Sequence, residues 1–254
     1  MTGGSVALVT GAATGIGRAT VLRLAGPGTR LVINFRSAQS EAAATARAAE
    51  ERGAETLCVQ ADVRDDAAVR DMLRQVQQRF GPKLDVLVNN AAITHWVPVS
   101  DLESLTDEMW RDLLDVDLIG PFRCVRAAAP LLKAAQGSVV NVASISGVLA
   151  AQTTSSLAYG AAKAALMYLT RGLAVALAPE VRVNAVAPAF TDTAWMQAHY
   201  GSQYTQQVER AAQTIPLGRV ASPEDVADAI VSLALGSRFV TGQTLLVDGG
   251  LSLT

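Results

Sequence analysis

Short apolar runs alternate along the chain with longer segments rich in alanine. Seven runs have the largely uninterrupted apolar character of strands covered on both faces; they span residues 5–10, 30–35, 56–60, 84–89, 138–142, 182–187 and 244–247. The segments between them are long enough for crossover helices, and 39–52 is rich in good helix formers. This alternation predicts an α/β fold with a doubly wound, mostly parallel sheet and helices on both faces. We expect a single domain over residues 1–254.

Composition excludes several classes of protein. Half of the residues are hydrophobic, 17% are charged and the net charge is −2, so we expect a well-filled core and no general attraction to nucleic acid or anionic membrane. Two cysteines, Cys58 and Cys124, and two histidines, His95 and His199, do not predict a disulfide framework or a metal site. Without a secretory signal or a membrane-spanning run, the sequence favours a soluble, cytoplasmic protein.

A glycine-rich loop follows the first predicted strand directly. Gly11 permits a tight turn, Gly15 allows a pyrophosphate to approach the backbone, and Gly17 allows the next helix to pack close to the strand. Backbone N–H groups at the helix start would then face the phosphates. Glycines also end strands for purely structural reasons, but the position between a strand and a helix favours dinucleotide binding.

Further motifs occur at separated points of the chain. They are Asp62-Val63, Asn89-Asn90-Ala91, Tyr159 with Lys163, Val-Asn-Ala-Val-Ala-Pro at 183–188, Thr241-Gly242-Gln243 and Asp248-Gly249-Gly250. With the glycine loop, they resemble the short-chain dehydrogenase/reductase family, in its compact single-domain branch, over essentially the whole chain. The resemblance implies a Rossmann-type fold, hydride transfer between NADP or NAD and a carbonyl or secondary alcohol, and a homotetramer or homodimer. It is nearest to 3-oxoacyl-thioester reductases and their small-ketone relatives.

The resemblance also implies which residues contact the cofactor. They are Gly11, Thr14, Gly15, Ile16, Gly17, Arg36, Ser37, Asp62, Val63, Asn89, Ala91, Tyr159, Lys163, Pro188, Thr191 and Thr193.

Tyr159 and Lys163 are four residues apart, so on a helix they share one face. A free tyrosine, with a pKa of about 10, is a poor acid or base at neutral pH. A nearby ammonium group lowers that pKa towards the useful range. By resemblance, Tyr159 exchanges a proton with the reacting oxygen, while Lys163 lowers the tyrosine pKa and binds the nicotinamide ribose.

The resemblance further implies a serine just after the fifth strand, and two are present. Ser144 has the matching strand-end context, whereas Ser146 has the matching distance to Tyr159. We favour Ser144, which requires a two-residue insertion within 150–156, because the strand end fixes geometry better than a loop length does.

Three positions depart from the family pattern. Asp117 replaces an asparagine that is thought to hold a water of the proton relay through its main-chain carbonyl, so we count Asp117 among the catalytic residues and expect little effect of the changed side chain. Ala92 and Ala189 replace glycines and add methyl groups beside the nicotinamide pocket.

The end of the second strand favours NADP over NAD. Phe35 stands where an acid would bind the ribose hydroxyl, and Arg36 follows it, where it can pair with a 2′-phosphate. Alternatives are a merely solvated Arg36 with dual specificity, or a phosphate contact from Arg18 or Arg64.

A long insertion after the sixth strand, about 189–217, predicts a substrate lid, because ligands bind at the carboxyl ends of such strands. The alternative is a helical hairpin at an oligomer interface. Candidate pocket residues are His95, Trp96, Trp195, Met196 and Tyr200.

Two other functional classes remain open at this point. A cofactor-binding redox sensor or scaffold with little turnover would have to explain the intact Ser144, Tyr159 and Lys163. A Rossmann-like methyltransferase would explain the glycine loop but not the Tyr–Lys pair.

Overall fold

The computed structural model describes residues 4–150 and 155–254. Its centre is one sheet of seven strands, β1 Val6–Val9, β2 Arg30–Phe35, β3 Glu55–Gln60, β4 Val86–Asn89, β5 Ser138–Val142, β6 Arg182–Pro188 and β7 Thr244–Val247. Every neighbouring pair is parallel, in the order β3-β2-β1-β4-β5-β6-β7. The predicted doubly wound parallel sheet is confirmed, with strand ends that differ by one or two residues.

Nine helices are present in the described part of the chain: α1 Gly15–Leu24, α2 Gln39–Glu50, α3 Asp66–Phe80, α4 Asp107–Leu114, α5 Gly120–Ala135, α6 Leu157–Leu177, α7 Ala194–Tyr200, α8 Tyr204–Thr214 and α9 Pro223–Leu235. A five-residue π-helical turn, Asp115–Ile119, joins α4 directly to α5. The helix predicted at 39–52 ends two residues early, at Glu50.

The sheet separates two apolar cores, which explains why its strands are apolar at successive positions. In β1, Val6 and Leu8 pack into the core formed with α3, α5 and α6. Ala7 and Val9 point the other way, into the core formed with α1, α2 and α9. Since adjacent strand residues face opposite sides, a strand covered on both faces has no polar side.

Helix α9 begins as its sequence predicts. Ser222 is the N-cap, Pro223 follows it, and Asp225 completes a capping box in which the Ser222 and Asp225 side chains each accept a backbone N–H of the other residue. The start of α9 marks the end of the long insertion after β6.

The strand order reverses between β1 and β4, the two strands from which successive crossovers lead in opposite directions. Loops leaving the carboxyl ends of such neighbouring strands separate and leave a crevice. We therefore expect the functional site where β1, β4, β5 and β6 end.

Candidate active site

A cleft of about 1220 Å³ opens at this edge of the sheet. Most of the predicted site residues line it: Gly11, Thr14, Gly15, Ile16, Arg36, Ser37, Asp62, Val63, Ala91, Ser144, Tyr159, Lys163, Pro188, Thr191 and Thr193. Ala92 and Ala189, which replace family glycines, line it as well. One continuous cavity therefore joins the glycine loop, the Tyr–Lys pair and the insertion after β6.

Two predicted cofactor contacts lie outside the cleft lining. Gly17 is packed behind the loop, where an added Cβ would lie 2.4 Å from the Gly11 carbonyl oxygen, so this glycine allows α1 to approach β1. The buried Asn89 side chain donates a hydrogen bond of 2.8 Å to Asn141 on β5. The next residue, Asn90, lines the cleft instead.

Asn90 and Asn34 hold the glycine loop, and the sequence reasoning missed both roles. The Asn90 amide donates to the carbonyl oxygens of Thr10 and Gly11, each at 3.0 Å. Asn34, buried in β2, accepts from the Gly11 N–H at 3.3 Å and donates to the Ala61 carbonyl at 3.0 Å. The available signal was a polar residue inside an apolar strand, since a buried amide needs hydrogen-bond partners.

The loop has the shape of a phosphate cradle. Gly11 and Gly15 have φ angles of +60° and +54°, in the region that favours glycine. A Cβ on Gly11 would lie 2.8 Å from the Ala91 Cα. Helix α1 then begins at Gly15 with no acidic residue in its first turn, so its free N–H groups meet the cleft unopposed. These features fit the pyrophosphate of a dinucleotide.

The Tyr–Lys pair lies near the start of α6. Ser156 caps this helix by accepting the Tyr159 N–H at 3.2 Å, which fixes Tyr159 in the first turn. Lys163, one turn later, is 2% exposed, and its Nζ donates to the Val142 carbonyl at the end of β5 at 3.1 Å. The ammonium nitrogen lies 5.5 Å from the centroid of the Tyr159 ring.

Asp117 requires a correction of the sequence-based expectation. Its carboxylate approaches the Tyr–Lys pair directly: Oδ1 lies 3.0 Å from Lys163 Nζ, and the side chain is fully buried. The π-helical turn aims this side chain at α6, and π turns inside helices often occur at functional sites. Lys163 lines the cleft and Asp117 does not, so the carboxylate of Asp117 reaches the cleft only through Lys163.

Opposing influences set the proton affinities of this centre. Burial raises the pKa of Tyr159, the charge of Lys163 opposes that rise, and the charge of Asp117 adds to it. Burial acts to lower the pKa of Lys163, but the neighbouring Asp117 and Tyr159 outweigh it, so this pKa is raised. Burial also raises the pKa of the Asp117 carboxyl against the pull of Lys163.

Ser144 lies closer to this chemistry than its alternative does. Its hydroxyl is buried and accepts the Ser146 N–H at 3.2 Å, and the influence of Ser144 on Tyr159 acts to lower the tyrosine pKa. Gly147 lets the turn after Ser144 pack on α6, because a Cβ there would lie 2.6 Å from the Ala164 nitrogen. Ser146 also lines the cleft. The insertion invoked within 150–156 falls largely on 151–154, outside the described residues.

Aromatic rings form the wall opposite Tyr159. Trp195 on α7 meets the Tyr159 ring edge-on at 6.5 Å between centroids. Trp96 lies 6.2 Å from Trp195 and stacks on His199 at 3.6 Å. Of the five candidate pocket residues, Trp96, Trp195, Met196 and Tyr200 line the cleft; His95 instead lies near Asp112, at 3.7 Å.

The opposite end of the cleft carries an unpaired cation. Arg36 lines it beside the buried Phe35 and forms no ion pair with any residue in 4–150 or 155–254. Arg64 is engaged by Asp62 at 2.7 Å, and this hydrogen bond from the guanidinium holds the pKa of the Asp62 carboxyl below its usual value. Arg18 is exposed outside the cleft lining.

Within the described ranges, no group of three His, Cys, Asp or Glu side chains could hold a metal ion, and no helix is long and apolar enough to cross a membrane. Both cysteines are free thiols.

A phosphate cradle and a Tyr–Lys pair in one cleft define a dinucleotide-dependent oxidoreductase. A family model described as enoyl-(acyl carrier protein) reductase matches residues 11–252. The chain is 41% identical to a protein named as a ketoacyl reductase of the granaticin polyketide synthase of Streptomyces violaceoruber, over 98% of this chain and 96% of that one. It is also 41% identical to cis-4-hydroxycyclohexanecarboxylate dehydrogenase of Sinomonas cyclohexanicum, over 96% and 95%.

A crystal structure described as a short-chain dehydrogenase/reductase from Burkholderia xenovorans superposes with a TM-score of 0.90 at 33% identity, covering 100% of both chains. The chain belongs to the short-chain dehydrogenase/reductase family. Its function is hydride transfer between a nicotinamide cofactor and a carbonyl or alcohol, and the sensor or scaffold alternative is not favoured.

The two serines can be separated by substitution. Ser144→Ala should lower kcat/KM for ketone reduction by about a hundredfold, as expected for one donor to a developing oxyanion. Ser146→Ala, the matched control, should change it little, since Ser146 reaches Ser144 only through its backbone N–H. Steady-state kinetics of both variants, with cofactor binding measured by NADPH fluorescence, would show the ranking. A larger loss in Ser146→Ala would identify Ser146 as the donor.

Proposed function

We propose that this protein is an NADPH-dependent reductase of ketones, with Ser144, Tyr159 and Lys163 as its catalytic residues. The observation that carries the proposal is the position of Tyr159 in the cleft that Ser144 and Lys163 also line, with its ring centroid 5.5 Å from the Lys163 ammonium nitrogen. A phenol so placed can give its proton to a carbonyl oxygen, and the ammonium stabilises the phenolate that remains.

The bound nicotinamide would supply a hydride to the carbonyl carbon, or accept one in the reverse direction. Tyr159 donates its hydroxyl proton to the carbonyl oxygen, which becomes the alcohol. Ser144 donates a hydrogen bond to that oxygen while it gains negative charge. Lys163 keeps its proton throughout, held by Val142 and Asp117. Trp195, edge-on to Tyr159, gives the reacting atoms an apolar neighbour.

NADP rather than NAD is favoured by charge at the far end of the cleft. Arg36 is exposed, lines the cleft and has no competing ion pair among the described residues, whereas Arg64 is occupied by Asp62. No carboxylate stands at the end of β2, where Phe35 is buried. A 2′-phosphate would therefore meet the Arg36 guanidinium, while Asp62, the one acidic side chain among the described lining residues, is bound by Arg64.

The substrate end of the cleft favours a ketone with an apolar body and an anionic group. Trp96 and Trp195 form an aromatic wall beside Tyr159. On α8, Arg210 lines the same cleft and forms no ion pair within the described chain. Asp62 is the only acidic side chain among the described lining residues, and it lies beside Arg36 and Arg64. The 4-hydroxycyclohexanecarboxylate named for one relative has both an apolar ring and an anionic group. The acyl group named for another relative fits the apolar part of the description.

Three further parts of the proposal rest on the fold. Residues 189–217, with α7 and α8, act as a substrate lid because α7 carries the aromatic wall.

A homotetramer or homodimer would cover the exposed apolar stripe of α6, which includes Leu157, Tyr168 and Val175. A cytoplasmic location suits the two free thiols.

The proton donor is tested by Tyr159→Phe, which keeps the ring and removes the proton. Turnover of a ketone with NADPH should fall by about a hundredfold or more, because general acid catalysis is lost. The fluorescence of bound NADPH should change little, since the ring still fills its place. Tyr168→Phe, on the exposed face of the same helix, is the control. Near-normal turnover in Tyr159→Phe would remove Tyr159 from the mechanism.

Cofactor choice is tested by Phe35→Asp with Arg36→Ile, which introduces an acid and removes the cation. A charge-assisted contact to phosphate contributes roughly 1.5–3 kcal/mol, or about one to two decades in affinity. The double variant should therefore prefer NADH in kcat/KM, and the advantage of NADPH in the unmodified protein should shrink with added salt. An NADH preference in the unmodified protein would contradict the assignment.

Substrate charge is tested by Arg210→Gln. With a cyclohexanone carboxylate, KM should rise about tenfold, the loss expected when a charge-assisted hydrogen bond is removed. With the neutral methyl ester of the same ketone, KM should not change. Arg47→Gln makes the same charge change on α2, outside the cleft lining, and should affect neither substrate. Equal effects of Arg210→Gln on acid and ester would exclude an anion contact.

A further inference from the structure

The ion pair beneath the Tyr–Lys pair is the least expected feature of the site. Asp117 Oδ1 lies 3.0 Å from Lys163 Nζ, and the two side chains are 0% and 2% exposed. At this depth, water screens neither charge, so each acts strongly on its neighbours. The sequence pattern implied an asparagine at this position, which would carry no charge.

Lys163 and Tyr159 form a buried pair in which Nζ lies 5.5 Å from the centroid of the Tyr159 ring, so we expect the protonation of each to affect the other. A fixed negative charge beside such a pair favours every state that holds one more proton. This holds whether the proton is lost from the phenol or from the ammonium. Asp117 therefore affects the protonation of both residues, although its carboxylate forms an ion pair with Lys163 and not with Tyr159.

We propose that the Asp117 carboxylate retains a proton on the Tyr159–Lys163 pair up to higher pH and so adapts this centre to reduction. A reductase needs the Tyr159 hydroxyl protonated when the carbonyl arrives, whereas alcohol oxidation needs it deprotonated. The inference rests on the proposed function for this choice of direction. Asp117 acts through Lys163 and is a positioning residue.

The other described carboxylates near the turn have partners of their own, so Asp117 is the one that acts on Lys163. Asp115, on the same turn, binds Arg123 of α5 at 2.6 Å. Asp112, on α4, lies 3.9 Å from Arg64 and 3.7 Å from His95. The charges that act on Tyr159 are those of Lys163 and Asp117. The raised pKa values of Tyr159 and Lys163 agree with this arrangement.

The experiment compares the unmodified protein with Asp117→Asn, which has nearly the same shape and no charge. Without cofactor or substrate, ultraviolet difference absorbance measures phenolate formation, and subtraction of the same titration in Tyr159→Phe isolates Tyr159 from the other three tyrosines. The apparent pKa of Tyr159 should fall by about one unit or more in Asp117→Asn, the usual effect of a buried neighbouring charge. With cofactor, kcat/KM for alcohol oxidation rises with pH and kcat/KM for ketone reduction falls with pH. In Asp117→Asn, the midpoints of both pH profiles should move to lower pH by a corresponding amount.

Asp115→Asn is the matched control, because it removes a carboxylate from the same turn without touching Lys163; it should leave both profiles in place. If Asp117→Asn does not fold, Asp117→Ser, which is neutral and keeps a polar oxygen at this position, replaces it. Unchanged Tyr159 titration in the folded neutral variant would overturn the inference, since Asp117 would then be uncharged. A phenolate shift in a protein that reduces no ketone would instead contradict the proposed function alone.

Discussion

Burial of the Lys163 ammonium group is the constraint to which the rest of the site is tied. Removing such an ion from water costs several kcal/mol unless acceptors surround it. The acceptors come from two other elements, the Val142 carbonyl at the end of β5 and the Asp117 carboxylate on the turn between α4 and α5. Strand, turn and α6 must therefore meet at one point. Since Tyr159 is one helical turn away from Lys163, that meeting also fixes the proton donor at the carboxyl edge of the sheet.

Charge and apolar surface divide the cleft into two ends with different tasks. Arg36 at one end forms no ion pair with the described residues, and the glycine loop between the ends presents backbone N–H groups, so this part suits the phosphates of a dinucleotide. At the other end, Trp195 meets the Tyr159 ring edge-on, and Trp96 lies 6.2 Å from Trp195. The two ends thus offer different chemistry, with charge for the phosphates of a cofactor and apolar surface beside the phenol of Tyr159.

The sequence predicted those parts of the molecule that local patterns determine. Continuous apolar runs indicate strands covered on both faces, and glycines between a strand and a helix indicate a cradle, because both depend on neighbours in the chain. The side chain of Asp117 escaped prediction, since its direction depends on a π-helical turn that shifts the helical register. The resemblance implied a cofactor contact for Asn89, whereas Asn90 lines the cleft in the structure. Successive residues at a strand end face opposite sides, and the sequence does not show which of the two asparagines faces the cleft. For the insertion after β6, the sequence left a lid and a helical hairpin as alternatives; its α7 begins with Thr193, which accepts the Met196 N–H.

Transfer of labelled hydride tests the central claim, that Tyr159 and Lys163 serve ketone reduction by NADPH, most directly. The protein would be incubated with a cyclohexanone carboxylate and NADPH deuterated at the transferable position of the nicotinamide, and the product analysed by mass spectrometry. The account predicts an alcohol with deuterium on the carbinol carbon, formed by the unmodified protein and not by Tyr159→Phe. Tight NADPH binding with no deuterium transfer to this ketone, its ester or a 3-oxoacyl thioester would contradict it.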